Sequence, residues 1–201
     1  MSENAFEIRD LKDYTILIPN MAPNQFTLIQ AALLSEGYHV ELMSKASSQV
    51  AQLGLQYVHN DTCYPALLII GQFIEALQSG RYDLSSTALA ITQSGGGCRA
   101  SNYIKLLRKA LDQAGFEQIP VISFNFSGLE KDMSMKLTTK LIAKLVAAVE
   151  YGDLIDSLYH ECRAYEVNQG DARRKTVEWL DQVSGWLLQE KNLKIREMKE
   201  M

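Results

Sequence analysis

Thr92-Gln93-Ser94-Gly95-Gly96-Gly97-Cys98-Arg99-Ala100-Ser101-Asn102-Tyr103 is the stretch on which the reading of this chain turns. Ahead of it runs Thr87-Ala88-Leu89-Ala90-Ile91, a short apolar run of the kind that forms a buried strand. Behind it, from Asn102 to Ala114, Tyr103, Ile104, Leu106, Leu107, Ala110 and Leu111 recur at helical spacing until Gly115 stops the pattern. Strand, glycine-rich turn and helix together aim backbone N–H groups and a partial positive charge into the turn. Cys98 occupies that turn, and a thiol at a helix N-terminus has its thiolate form favoured, the form that attacks electrophiles and ligates metals. Three consecutive glycines give an access to the backbone that a plain turn does not need.

Working outward, Tyr14 to Pro19 reads as a first strand, Asn20 to Asn24 as a loop, Gln25 to Ser35 as a helix and His39 to Met43 as a second strand. Such a β-α-β unit with short connections is right-handed in a parallel sheet. Ser47 to Leu55 is a short helical segment at most. A stronger helix follows from about Pro65 to Gln78, with Asp61 or Thr62 as its cap and Cys63 at or just before its N-terminus. Ile119 to Asn125 is a further strand. Lys136 to Val149 is a helix with Leu137, Leu141, Leu145 and Val149 on one face; Tyr151-Gly152-Asp153 ends or kinks it, and Leu154 to Tyr165 resumes. A last helix from Ala172 buries Val177, Leu180, Val183, Trp186 and Leu187.

Strands alternating with helices predict a three-layer Rossmann/flavodoxin-like α/β domain with a mostly parallel, roughly four-stranded sheet and C-terminal helices. The 201 residues suit one such domain, with a helical extension from about residue 133. In a strand order 2-1-3-4 the switch point lies between the first and third strands, and the Asn20–Asn24 loop would share a rim with the Cys98 turn.

Composition narrows the chemistry. Hydrophobic residues make up 47% and charged residues 22%, and the net charge of -4 carries no basic run with interleaved aromatics, which argues against nucleic acid. No basic stretch followed by an apolar one opens the chain, and no apolar run reaches membrane-spanning length. Three cysteines without a secretion signal point to reduced thiols or metal ligands in the cytoplasm.

Spacing then tests each reading of the turn. A P-loop needs a lysine that Gly95-Gly96-Gly97-Cys98-Arg99 lacks, and contiguous glycines do not make the dinucleotide-binding fingerprint. A cysteine-dependent phosphatase needs an arginine six residues after the nucleophile, where this chain has Ile104. No two cysteines are separated by two residues, as a thioredoxin-type pair requires. A Cys–His nucleophile with His59 or His160 as base, and zinc, which finds no compact Cys/His cluster, are the other readings. Iron–sulfur ligation asks only that thiolates from separate loops converge, and it uses Cys63 and Cys98 together.

Asn60-Asp61-Thr62-Cys63-Tyr64-Pro65-Ala66, Gly71-Gln72, Ser79-Gly80 and the whole of Thr92 to Tyr103 resemble the activase-related branch of the 2-hydroxyacyl-CoA dehydratase family. Leu107-Arg108-Lys109-Ala110-Leu111, Pro120-Val121-Ile122-Ser123, Tyr151-Gly152-Asp153-Leu154 and Arg163-Ala164-Tyr165-Glu166 extend the resemblance across roughly Tyr14 to Trp186. It implies a Rossmann-like domain holding a [4Fe–4S] cluster through rim cysteines. It also implies an ATP-hydrolysing activator that injects one electron, and either loss of water from a 2-hydroxyacyl-CoA through a ketyl radical or reduction of a small molecule.

By this likeness Cys63 and Cys98 are cluster ligands. Cys162, which precedes the Arg163-Ala164-Tyr165-Glu166 stretch but matches no family cysteine, is a third candidate; if it is instead a small buried structural residue, the third ligand comes from another chain or an exogenous group. Gly95, Gly96, Gly97 and Arg99 are the candidate cofactor-binding residues. The implied partners are an activator ATPase or a sister dehydratase-like subunit or domain, with acyl-CoA as a candidate ligand and neither nucleic acid nor membrane. The chain lacks activator motifs and a second cluster domain, so a fragment, a subunit or a remnant is expected. The competing reading is a non-catalytic α/β binding or assembly module that keeps the fold without the cluster.

Overall fold

The structure, a computed structural model, describes residues 11–44, 46–59, 61–92, 102–124 and 138–189. Four strands, β1 (Thr15–Pro19), β2 (His39–Met43), β3 (Thr87–Thr92) and β4 (Val121–Phe124), form one all-parallel sheet in the order β2-β1-β3-β4. The expected α/β, Rossmann/flavodoxin-like class and its 2-1-3-4 winding are thus present. Register runs Thr15 beside His39 on one side of β1 and beside Thr87 on the other, with Leu89 beside Val121 at the outer pair. β3 is buried from Thr87 to Ile91, which explains why its sequence is a near-continuous apolar run instead of an alternation.

The described residues also form six α-helices: α1 (Pro23–Ser35), α2 (Ser48–Tyr57), α3 (Tyr64–Gln78), α4 (Tyr103–Ala114), α5 (Thr139–Arg163) and α6 (Asp171–Leu188). The described residues fall into two compact units. One holds the four strands with α2, α3 and α4; the other holds α1, α5 and α6. The core of the sheet unit gathers Leu17, Phe73, Ile74, Leu89, Leu107 and Val121 around the apolar face of α3. Helix α3 is held close to α2: a Cβ built on Gly71 would run into the Val50 carbonyl oxygen, and one on Gly54 into that of Leu67. Glycine at both crossing points lets the two backbones touch, and this fixes where the N-terminus of α3 stands.

The helical unit is built around Leu28, Ala31, Ala148, Tyr151, Ile155, Val183 and Leu187. Here three expectations are corrected. Helix α5 is continuous through Tyr151-Gly152-Asp153, where the sequence suggests an end or a kink. Gly152 is a contact point instead, since a Cβ there would lie 2.8 Å from Gln25 Cα on α1. Second, the buried face of α5 is Leu141, Ala148, Tyr151, Gly152 and Ile155, while Val149 is exposed, because α5 packs against two helices and not along one i, i+4 stripe. Third, Val177 of α6 is about half exposed (51%), although Val183 and Leu187 are buried as expected.

Polar ties complement this packing. Asn24 and Gln25 at the start of α1 donate to Asp156 (3.1 Å) and Asp153 (2.7 Å) on α5. At the other end, the Lys144 ammonium donates to Ser35 Oγ (2.6 Å) and Glu36 Oε1 (2.7 Å), placing a cation on the carboxyl end of α1 where the helix dipole favours it. That hydrogen bond holds the Glu36 carboxyl below its usual range against an opposing effect of burial. None of the described helices is long and apolar enough to cross a membrane.

Candidate functional site

In a parallel sheet all strands end at one edge, and ligands gather beyond that carboxyl edge. Helix α4 follows β3, so its N-terminus lies at this edge. Helix α3 runs back to the start of β3, which puts its C-terminus at the opposite edge and its N-terminus at the carboxyl edge too. The N-termini of α3 and α4 therefore lie at the same edge of the sheet through different connections.

Cys63 is the N-cap of α3, which corrects the expected cap at Asp61 or Thr62. Its carbonyl already accepts the first helical bond, from Leu67 N at 3.2 Å, while its side chain makes no capping bond to the backbone. Pro65 occupies the first turn, where a missing N–H costs nothing. Asp61 instead pairs with His59, its carboxylate 3.1 Å from Nδ1 on the exposed approach to the helix. The Cys63 sulfur is partly buried and lies 3.5 Å from the hydroxyl of Tyr103, the first residue of α4. The buried Tyr103 ring and Cys63 pack on the same core.

Gly95, Gly96, Gly97, Cys98 and Arg99 lie outside the described residues. Cys162 lies in the last turn of α5 and belongs to the helical unit, whereas Cys63 belongs to the sheet unit. Cys162 is exposed, contrary to its reading as a small buried residue. It borders a pocket of about 670 Å³ with Tyr159, Tyr165 and Trp179. Arginine, lysine and two carboxylates of that pocket are engaged in hydrogen bonds. Arg174 donates to Asp171 (2.6 Å), Lys175 to Glu178 (2.6 Å), and the Glu166 carboxylate accepts from Gly170 N (2.8 Å) and Ala172 N (3.0 Å). These two backbone bonds hold the Glu166 carboxyl below its usual range. His160, the other histidine considered as a base, is engaged with its own helix, its Nδ1 2.8 Å from the Asp156 carbonyl.

A [4Fe–4S] cluster requires convergent thiolates. Cys63 suits that role in position, exposure and hydrogen bonding. Among the described residues no group of three or more His, Cys, Asp or Glu side chains is arranged to hold a metal ion. Among the described residues of the sheet unit Cys63 is thus the one thiol at this rim, fewer than a cluster needs. Two features of this site escape a reading of the sequence. Tyr103 looks like one more apolar position of α4, and its contact with Cys63 spans 40 residues of chain. Glu166 carries no signal beyond its place near a turn.

Neither a protein-family model, nor a curated protein, nor a solved structure matches this chain.

Proposed function

We propose that this chain is a 2-hydroxyacyl-CoA dehydratase-like, iron–sulfur-binding domain acting in the cytoplasm. It takes low-potential electrons from an ATP-driven activator, in the dehydration or reduction of a small or CoA-linked substrate. The observation that carries the reading is the Cys63–Tyr103 contact at the carboxyl edge of the sheet. It ties the start of α3 to the start of α4, the helix that Cys98 precedes in the sequence. Cys63 and Cys98 would hold the cluster, with a donor from a partner subunit or an exogenous group completing it, and Gly95, Gly96, Gly97 and Arg99 would border it. When bound, the cluster supplies one-electron transfer. The chain's own part is to supply cysteine sulfurs as ligands, Cys63 from the head of α3.

Anaerobic reconstitution of the full chain with ferrous iron and sulfide tests this. Iron content and broad visible absorbance should rise in the natural chain, fall away in Cys63→Ser and in Cys98→Ser, and persist largely in Cys162→Ser. Iron uptake indifferent to the first two substitutions would end the cluster reading. The second reading, a binding or assembly module without a cluster, draws on the aromatic pocket of the helical unit around Tyr159, Tyr165 and Trp179. It takes over if the reconstituted chain stays colourless.

A further inference from the structure

We infer that the pocket of the helical unit binds a small organic cation, a quaternary or alkylated ammonium whose apolar substituents rest on aromatic rings while its charge faces carboxylates. This stands whether or not the rim of the sheet holds a cluster, because every lining residue belongs to α5, α6 or the turn between them. The cavity, about 670 Å³, has the size of a small-molecule site. Three aromatic side chains line it from three places: Tyr159 from α5, Tyr165 from the turn that follows and Trp179 from α6. Trp179 packs against the core of the unit, so its ring is held before any ligand arrives. Tyr165 is 87% exposed, a large ring left to water although it borders a cavity.

Charge decides the class of occupant. The two cations of the lining are already matched, since Arg174 donates to Asp171 and Lys175 to Glu178, each at 2.6 Å. Two carboxylates of the lining are left over. Glu166 accepts from two backbone N–H groups, which keep it ionised at neutral pH, and Glu161 has no cationic partner among the described residues. An anion would meet both of these charges unfavourably. An alkylated ammonium suits them, and its weakly hydrated surface suits the faces of tyrosine and tryptophan. The fold already uses this chemistry beside the cavity, where the Arg163 guanidinium lies 5.7 Å from the centre of the Tyr159 ring.

The test is calorimetric titration of the full chain with choline and, separately, with 3,3-dimethylbutan-1-ol, which has the same shape without the charge. Choline should bind about fivefold more tightly than the alcohol. Tyr165→Ala and Glu161→Gln should each weaken choline about threefold. Both side chains are exposed, so these variants should melt like the natural chain and keep the test decisive. Arg163→Ala frees one face of the Tyr159 ring and removes a competing positive charge, so it should tighten choline binding. No choline binding, equal binding of choline and the alcohol, or choline binding indifferent to both Tyr165→Ala and Glu161→Gln would each overturn the inference. Weaker choline binding in Arg163→Ala would overturn it too. None of these results touches iron uptake, which is judged at Cys63 and Cys98.

Discussion

The sulfur of Cys63 and the hydroxyl of Tyr103 stand 3.5 Å apart, joining the first turns of the two helices that flank β3 in the chain. The close α2–α3 crossing at Gly54 and Gly71 is one of the packings that set the height of α3 against the sheet. Position at the rim therefore depends in part on backbone packing farther along α3.

That dependence can be tested at Gly71. In Gly71→Ala the new methyl group meets the Val50 carbonyl, a backbone atom that no side-chain rotation can move aside. We expect a loss of about 3 kcal/mol from overpacking, measured by urea unfolding, together with altered alkylation of Cys63.

Two glycines inside helices of the other unit should respond with opposite signs. Gly152→Ala drives a methyl group toward Gln25 Cα at 2.8 Å and should cost about 1–3 kcal/mol despite the better helix former. Gly185→Ala on α6 meets nothing within 4 Å and should gain up to about 1 kcal/mol from propensity alone. Thermal and denaturant melts of both variants decide the matter; equal effects would show that α1 and α5 do not touch as described.

The Lys144–Glu36 pair gives the stability of the helical unit a pH dependence. Both side chains are largely buried (11% and 18% exposed), and Glu36 is held below its ordinary value of 4.5 by the Lys144 hydrogen bond. A depressed carboxyl stabilises the fold above its unfolded-state value and loses that contribution as pH falls through 4.5 and below. Lys144→Met should therefore cost about 1.5–3 kcal/mol at pH 7 and progressively less toward pH 3, read from unfolding midpoints across that range.

Glu166 should protect the first turn of α6. Its carboxylate accepts from Gly170 N and Ala172 N, so Glu166→Ala should speed hydrogen exchange at the Ala172 amide while leaving the amide of Leu187 unchanged. The same carboxyl is lowered by those bonds, so in the natural chain this protection should be present at neutral pH and fade as acid protonates it.

The sheet was legible because its strands are short apolar runs closed by turn residues: Thr87 to Ile91 and His39 to Met43 can hardly be anything else between helices of this spacing. Helices were legible in existence but not in the face they bury. Val177 and Val149 belong to apolar stripes on paper, yet a helix packed against two others chooses its face by three-dimensional fit. Gly152 misleads for a related reason, since a helix breaker and a helix contact point are written with the same letter. Of the candidate site, the cysteine at the head of α3 could be read from Pro65 and the apolar face behind it. Its tyrosine partner could not, because no local pattern encodes a contact across 40 residues.

Helix α1 is made early and completed late. It bridges β1 and β2 of the sheet unit, yet its apolar side is covered by α5 and α6. Asn24 waits 132 residues for Asp156. At ribosomal speeds of about 5–20 residues per second that is on the order of ten seconds during which Leu28 and Ala31 are without the neighbours that will bury them. A nascent chain in this state offers a chaperone a defined early target, and a stalled or truncated one offers a protease the same segment.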